Sequence, residues 1–244
     1  MCAALSGDNR LPRYQRLAEI LKDAIAHHRW RPGEKLPSEQ DLAAHYAVAP
    51  GTVRQAITQL VDEGLLERHQ GRGTFVRKPS FQNSLFRFFR FHSSDEGREV
   101  PESRILRREV LSAPPSIAVA LRLPLQAKVI AMSRLRLIDG EPVLAEAIWL
   151  PYDRFDAFMA LDEAGIGPLL YPIYEKVCGE IVARAEEELT AEPCSAEHAR
   201  LLRLERGDPV IVIDRTAIGF DDTPLEWRSS RGRADKFHYH IEIR

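Results

Sequence analysis

The chain has 244 residues, 44% of them hydrophobic and 29% charged, with a formal net charge of −2. That length and balance suit one large globular domain or two ordinary ones, and exclude a low-complexity or collagen-like chain. No apolar run approaches the roughly 18–20 residues that span a bilayer, and the first fifteen residues lack the basic-then-apolar order of a signal peptide, so a cytoplasmic protein without membrane attachment is expected.

The charge is unevenly placed. Residues 1–79 hold 12 Lys+Arg against 9 Asp+Glu, a net +3, whereas residues 80–244 hold 22 against 27, a net −5. An N-terminal part that meets a polyanion is the reading this asymmetry suggests.

The front of the chain begins with "LPRYQRLAEILKDAIAHHRWRPG". Pro12 stands where a first helical turn tolerates it, and Tyr14, Leu17, Ala18, Leu21, Ala24 and Ile25 repeat at helical spacing, predicting an amphipathic helix ended by Pro32-Gly33. In "EKLPSEQDLAAHYAVAPGTVRQAITQLVDEGLL", Ser38 is an N-cap ahead of Glu39, Gln40 and Asp41, and a short helix to about His45 buries Leu42, Ala43 and Tyr46. The tight "AVAP" connection leads to a third helix with Val53, Ala56, Ile57, Leu60 and Val61 inward and Gly64 as its stop. The pattern then turns to strand period around Gln70-Gly71-Arg72-Gly73, a hairpin wing ringed by Arg68, His69, Arg72, Arg77 and Lys78.

Helix, turn, helix and basic wing in this order suit DNA. The third helix is sized for the major groove, and its outward Thr52, Arg54, Gln55 and Thr58 can meet base edges and phosphates. Glycines let the wing backbone approach a sugar-phosphate chain closely. The stretch "LPSEQDLAAHYAVAPGTVRQAITQLVDEGLLERHQGRGTFV" resembles the DNA-binding domain of the GntR family of bacterial transcription regulators, over residues 11–78. The resemblance implies DNA-contacting roles for Thr52, Arg54, Gly71 and Arg72, with Ser38 and Gln40 as phosphate partners. It also implies a Ser/Thr-Arg pair just before Thr-Val-Arg. Ala49 and Pro50 stand there, so one family contact to the operator is absent.

Beyond a linker at 79–84, residues 85–244 read as an antiparallel α+β domain, because most connections are short. Strands are expected at 104–111, 127–138, 142–150, 180–189, 209–219, 223–231 and 236–243. Helices are expected at 115–122, 153–160, 167–178 and 195–203.

Within the second strand, "SRLRLIDG" sets Arg134 and Arg136 on one face beside Ile130, Met132 and Ile138. A wet outer face would explain the pair; so would an anion site. Hairpin register separates the two. With Asp139-Gly140 as a two-residue turn, Arg134 opposes Ala145. With a three-residue loop Asp139-Gly140-Glu141, Ile138 opposes Pro142, Arg136 opposes Leu144 and Arg134 opposes Glu146. The second register lets opposite charges meet and is the one expected.

The segments "ESRILRREVLSAPPSIAVALRLP", "VIAMSRLRLIDGEPVLAEAIWLP", "GPLLYPIYEK" and "PLEWRSSRGRADKFHYHI" resemble the UTRA effector-binding domain of HutC-type GntR regulators. That resemblance implies a chorismate-lyase-like fold, an antiparallel sheet with helices, that forms a homodimer and binds a phosphosugar, phosphonate or carboxylate such as urocanate. It places effector contacts on Arg134, Arg136, Glu146, Tyr171, Glu226, Arg228 and Ser230. Relatives that take phosphorylated sugars carry Ser-Phe-Thr after the linker; "FRFFRF" at 86–91 replaces it here, leaving Arg87 or Arg90 to supply the anion contact.

Other residues invite chemistry less. Cys2, Cys178 and Cys194 are scattered without Cys-x-x-Cys spacing, so neither a disulfide framework nor a zinc site is indicated. His238 and His240 alternate on the last expected strand and read as an exposed face; His27-His28 read as partners of a helix terminus; Glu186-Glu187-Glu188 read as a solvated strand-to-helix segment. No Ser-His-Asp context, phosphate loop or dinucleotide motif is visible. The sequence therefore points to a ligand-responsive, sequence-specific DNA-binding repressor without cofactor, metal or enzymatic activity. Its partners would be double-stranded operator DNA, a small anionic metabolite and a second copy of the chain. An enzyme carrying a DNA-binding domain and a ligand-independent DNA-binding protein are the alternatives.

Overall fold

The computed structural model describes residues 11–27, 29–77 and 101–237. They form two compact units, the first made of the described residues up to 77 with Phe220–Asp222, the second of the other described residues from 101 on. Lys78, the expected linker at 79–84, Arg87, Arg90, His28, His238 and His240 lie outside the described residues.

In the first unit, α1 (Arg13–Ala26) buries Leu17, Ala18, Leu21 and Ile25. It stops well short of Pro32-Gly33, because its buried apolar repeat ends at Ile25 and exposed His27 follows. Helix α2 (Glu39–Tyr46) starts in a capping box: Ser38 Oγ accepts the Asp41 N–H at 3.1 Å, and the Asp41 carboxylate accepts the Ser38 N–H at 3.3 Å. Left-handed Ala47 ends it, and Pro50 opens α3 (Pro50–Asp62), whose Val53, Ala56, Ile57 and Leu60 are buried. Strands β1 (Leu66–His69) and β2 (Gly73–Val76) form the hairpin, and Lys35 bridges to Phe75.

The second unit is built on a six-stranded antiparallel sheet. In chain order come β3 (Glu102–Ser112), α4 (Pro115–Ala120), β4 (Lys128–Ile138), β5 (Glu141–Pro151), α5 (Tyr152–Met159), α6 (Leu170–Ile173), β6 (Val182–Pro193), α7 (Ala196–Leu202), β7 (Pro209–Gly219) and β8 (Pro224–Arg233). The strands are ordered β3-β4-β5-β8-β7-β6. Alternation along β4 and β5 sends side chains to two differently covered faces. Leu135, Leu137 and Ala145 pack with Ala199 and Leu202 of α7 on one. Ile130, Met132, Ile148 and Leu150 pack with Phe155, Phe158 and Leu170 of α5 and α6 on the other.

One expectation here needs correction. The helix expected at 167–178 is only Leu170–Ile173, continuing as a wider turn, Tyr174–Cys178, that ends at left-handed Gly179. Of the strand expected at 236–243, residues 238–243 lie outside the described residues; Ala234–Lys236, just before them, is a single tight helical turn.

The β4–β5 hairpin carries another correction. Its turn is two residues, Asp139 and Gly140, with φ of 51° and 76°, and Ile138 opposes Glu141 rather than Pro142. Positive φ at both positions is the turn whose twist matches its strands, which is why Asp-Gly prefers it. The pairing then shifts by one between Arg136 and Leu137, so Val143 is an extra residue on β5. Because of that bulge, Arg136 still opposes Leu144 and Arg134 still opposes Glu146.

Candidate functional site

On the face of the sheet covered by α5 and α6, the apolar side chains give way to charge. Arg134, Arg136, Glu146, Arg215, Glu226, Arg228 and Ser230 are all buried there, Arg134 and Glu226 completely. The strand register brings them together: Glu146 opposes Arg134 on one side and Ser230 on the other, and Arg215 of β7 opposes Arg228 of β8.

Glu146 is the hub. One of its oxygens, Oε2, accepts from Arg134 Nε at 2.7 Å and from Arg136 Nε at 3.2 Å, while Oε1 accepts from Arg228 Nη1 at 3.2 Å. Burial pushes the Glu146 carboxyl up, but Arg134, Arg228 and Arg136 together outweigh burial and hold it well below the usual carboxylate range. Glu226 is the second counter-charge, accepting from Arg228 Nη2 at 2.8 Å and from the Tyr174 hydroxyl at 2.7 Å. Burial lowers Arg228, and Glu226 and Glu146 reverse this and raise it well above its ordinary value.

The network extends further along the sheet. Tyr171 donates to Glu226 Oε1 at 3.4 Å and accepts from Arg215 Nη1 at 3.4 Å, and Arg228 stands 5.8 Å over the Tyr171 ring. Arg215 Nε reaches Glu187 at 2.6 Å. Phe155 and Phe158 meet Tyr174 edge-on and fix its ring under Glu226.

Among the described residues, four guanidinium groups thus face three carboxylates, Glu146, Glu226 and Glu187, a surplus of one positive charge within that set in a largely dry place. Among the described residues, Arg134 Nη2, Arg136 Nη1 and Arg228 Nε are each buried without a hydrogen bond, and the surplus tells on Arg136. Burial, reinforced by Arg134 and Arg228, pushes its pKa down to about 10 in spite of Glu146. A buried donor left without an acceptor is costly, and an anion placed at this end of the cluster would relieve that cost.

Every effector residue expected from the sequence that falls among the described residues, namely Arg134, Arg136, Glu146, Tyr171, Glu226, Arg228 and Ser230, lies in this neighbourhood. Sequence reasoning overlooked Arg215, Tyr174 and Glu187. Arg215 had a signal, the one charge on the strand face that it shares with Ile213 and Ala217 in "PVIVIDRTAIG". Glu187 corrects part of another expectation: Glu186 and Glu188 are exposed, but all three lie within β6 rather than at a strand-to-helix junction, and Glu187 is half-buried and pairs with Arg215.

In the first unit, Ser38, Gln40, Arg54, Gly71 and Arg72 are exposed and Thr52 is partly so. Arg54 Nε donates to Glu39 at 3.0 Å, and Arg68 of β1 donates to Thr58 at 3.1 Å. Cations of α3 and of the β1–β2 hairpin therefore share one outer surface.

Residues 13–76 match the family model "Bacterial regulatory proteins, gntR family", and residues 96–238 match the UTRA domain. The transcriptional repressor NagR of Bacillus subtilis is 30% identical over 230 residues, covering 94% of this chain and 93% of that one. The chain belongs to the GntR family, with a UTRA domain. The GntR/UTRA chain is also 28% identical, over 82% of both chains, to MngR of Escherichia coli, the mannosyl-D-glycerate transport/metabolism system repressor.

Among solved structures, the ligand-binding domain of a GntR-type regulator from Bordetella bronchiseptica superposes with a TM-score of 0.56 at 32% identity, over 59% of this chain and 92% of that one. PhnF of Mycobacterium smegmatis, with a TM-score of 0.55 at 23% identity over 96% and 99%, shares the fold. The GntR/UTRA chain is a ligand-responsive, DNA-binding transcription repressor. Among its described residues, no helix is long and apolar enough to cross a membrane.

Proposed function

We propose that the chain acts as a homodimer on a two-fold symmetric operator, and that a small anionic metabolite held by Arg134, Arg136 and Arg228 releases it. Each α3 would enter a major groove, with Thr52 and Arg54 toward bases and phosphates, Gly71 and Arg72 along the adjacent backbone, and Ser38 and Gln40 near phosphates. The effector's anionic group would complete Arg136, since a guanidinium offers a planar two-pronged donor. Glu146, Glu226, Tyr171 and Ser230 would meet its hydroxyl or amine groups, and Arg87 or Arg90 would add a further cation.

The observation that carries this reading is that, among the described residues, Arg136 Nη1 is buried without a partner amid a surplus of positive charge. Mannosyl-D-glycerate, in the name of MngR, is a sugar bearing a carboxylate, the class of molecule that suits such a cluster. The repressor's role is regulatory and not catalytic. Binding switches DNA affinity because the effector prefers one arrangement of the dimer, by the few kcal/mol usual for such coupling.

The test is a thermal-shift screen of phosphosugars, phosphonates, urocanate and other small carboxylates, followed by DNA-release assays on the hits. The reading fails if hits are neutral or cationic, or if the Arg134→Ala, Arg136→Ala double variant, shown to be folded, still releases DNA at the wild-type effector concentration.

A further inference from the structure

Arg54 is the only arginine on α3, and Ala49-Pro50 leave the start of that helix without another cation, so base discrimination by guanidinium rests on one side chain. A single exposed arginine is a poor reader if it swings freely, because ordering a long side chain on binding consumes much of its contact energy. Arg54 does not swing freely. Its Nε donates to Glu39 Oε2 at 3.0 Å, across the turn between α2 and α3.

Glu39 holds a second cation as well. Its other oxygen lies 3.8 Å from Arg68 Nη2, which in turn donates to Thr58 Oγ1 at 3.1 Å and reaches the Arg54 carbonyl at 3.4 Å. One carboxylate thus joins α2, α3 and the first strand of the wing. The Glu39 side chain is 29% exposed, against 67% for Arg54 and 42% for Arg68, so it stands behind the cations it holds.

This arrangement has a chemical consequence at the DNA. With Nε bound to Glu39, the two terminal nitrogens of Arg54 are the fork left to project, the geometry that pairs with O6 and N7 of a guanine. The carboxylate also opposes phosphates, so it lowers affinity for any DNA that does not reward the fixed fork. Both effects favour specific over indiscriminate binding.

We propose that Glu39 is a positioning residue for DNA readout: it fixes Arg54 to read a guanine and penalises binding to other sequences. The proposal rests on α3 being the reading helix. A first-turn acid also stabilises α2, but Ser38 and Asp41 already cap that helix, so the structural part of its role is small.

The full-length protein, its Glu39→Gln, Glu39→Asp and Arg54→Ala variants are each used to select from a random duplex library, and affinities are then measured for the winning site and for a scrambled duplex. The wild type is expected to select a site with a guanine whose preference Arg54→Ala abolishes. Glu39→Gln loses preference at that same position, binds scrambled DNA at least as well as wild type, and reduces the ratio of specific to scrambled affinity by roughly fivefold or more, the lower end of what one bidentate arginine contributes. Glu39→Asp, which keeps the charge but shortens the reach, loses the guanine preference without gaining scrambled affinity. If Glu39→Gln keeps both the guanine preference and the affinity ratio within about twofold of wild type, Glu39 has no positioning role. A wild-type protein that selects no sequence, or an Arg54→Ala variant with every preference intact, overturns instead the reading of α3 as the DNA reader, and this proposal with it.

Discussion

Arg134 and Glu146 lie directly across from each other on β4 and β5, both sealed from solvent, with 2.7 Å between guanidinium and carboxylate. The pair is not self-sufficient, because Glu146 also answers to Arg136 and Arg228. Its removal leaves three buried cations short of their common counter-charge. Glu146→Gln is therefore expected to destabilise the effector domain by about 3–5 kcal/mol, the range for breaking a buried ion pair, as read from urea unfolding at pH 7.

The same carboxylate sets an acid limit. A carboxyl held in the folded state far below its ordinary 4.5 contributes stability that is fully present above that value and is lost as pH falls below it. Between about pH 4.5 and pH 3 the wild type should lose up to ~1.4 kcal/mol per pH unit from this group. Glu146→Gln should lack that component of the slope. Unfolding curves with equal pH slopes for the two proteins would rule it out.

Arg136 is expected to behave in the opposite way. Among the described residues, its removal brings the cluster to three guanidinium groups against three carboxylates and deletes a buried donor without a partner. Arg136→Met should unfold within about 1 kcal/mol of wild type or later, since well-packed apolar replacements of buried charge are commonly neutral or stabilising. Its response to an anionic effector should vanish, while operator binding without effector stays at wild-type strength in a mobility-shift assay.

Much of this was legible beforehand because alternation in sequence maps directly onto faces of a sheet. Arg134 and Arg136 share a face with Ile130 and Met132, as period two requires. The length of the turn was not legible, because one extra residue can sit in the loop or in the strand, and hydrophobic pattern does not separate the two. Asp139-Gly140 took the tight turn and Val143 became the bulge. Arg215 escaped notice for a related reason: its partners lie on β6, β8 and α6, and only the assembled register puts them beside it. The end of α1 was misjudged because Pro32 marks where a helix must end, whereas loss of core contact after Ile25 decides where it does.

Ser38 separates capping from DNA contact. Ser38→Ala removes the capping box and should lower the stability of the N-terminal unit by about 1 kcal/mol. Ser38→Asp keeps an N-cap acceptor and adds negative charge near any bound phosphate. Melting near the wild-type temperature with weakened operator binding is the expected result for Ser38→Asp; unchanged operator affinity would leave Ser38 with the cap alone.

Arg72 at the wing tip should contribute charge without sequence. Arg72→Ala is expected to weaken operator and scrambled duplexes by similar factors and to reduce the slope of log affinity against log salt by about 1. A loss confined to the operator would make Arg72 a reader of bases.

Gly140 has φ of 76° and open space where a Cβ would stand, so Gly140→Ala should cost about 1 kcal/mol through backbone conformation alone, measured as a shift of the effector domain's unfolding midpoint.

The bulge at Val143 has a practical consequence for anyone rebuilding this hairpin as a sensor. Between Arg136 and Glu146 the turn and the bulge are counted together: their sum decides whether the carboxylate looks toward the arginines or toward α7. A designer who lengthens the turn by one residue and straightens the strand in the same step keeps the site; one who makes either change alone turns the carboxylate away from it. Loop grafting here succeeds or fails by parity before the chemistry of the inserted residues matters.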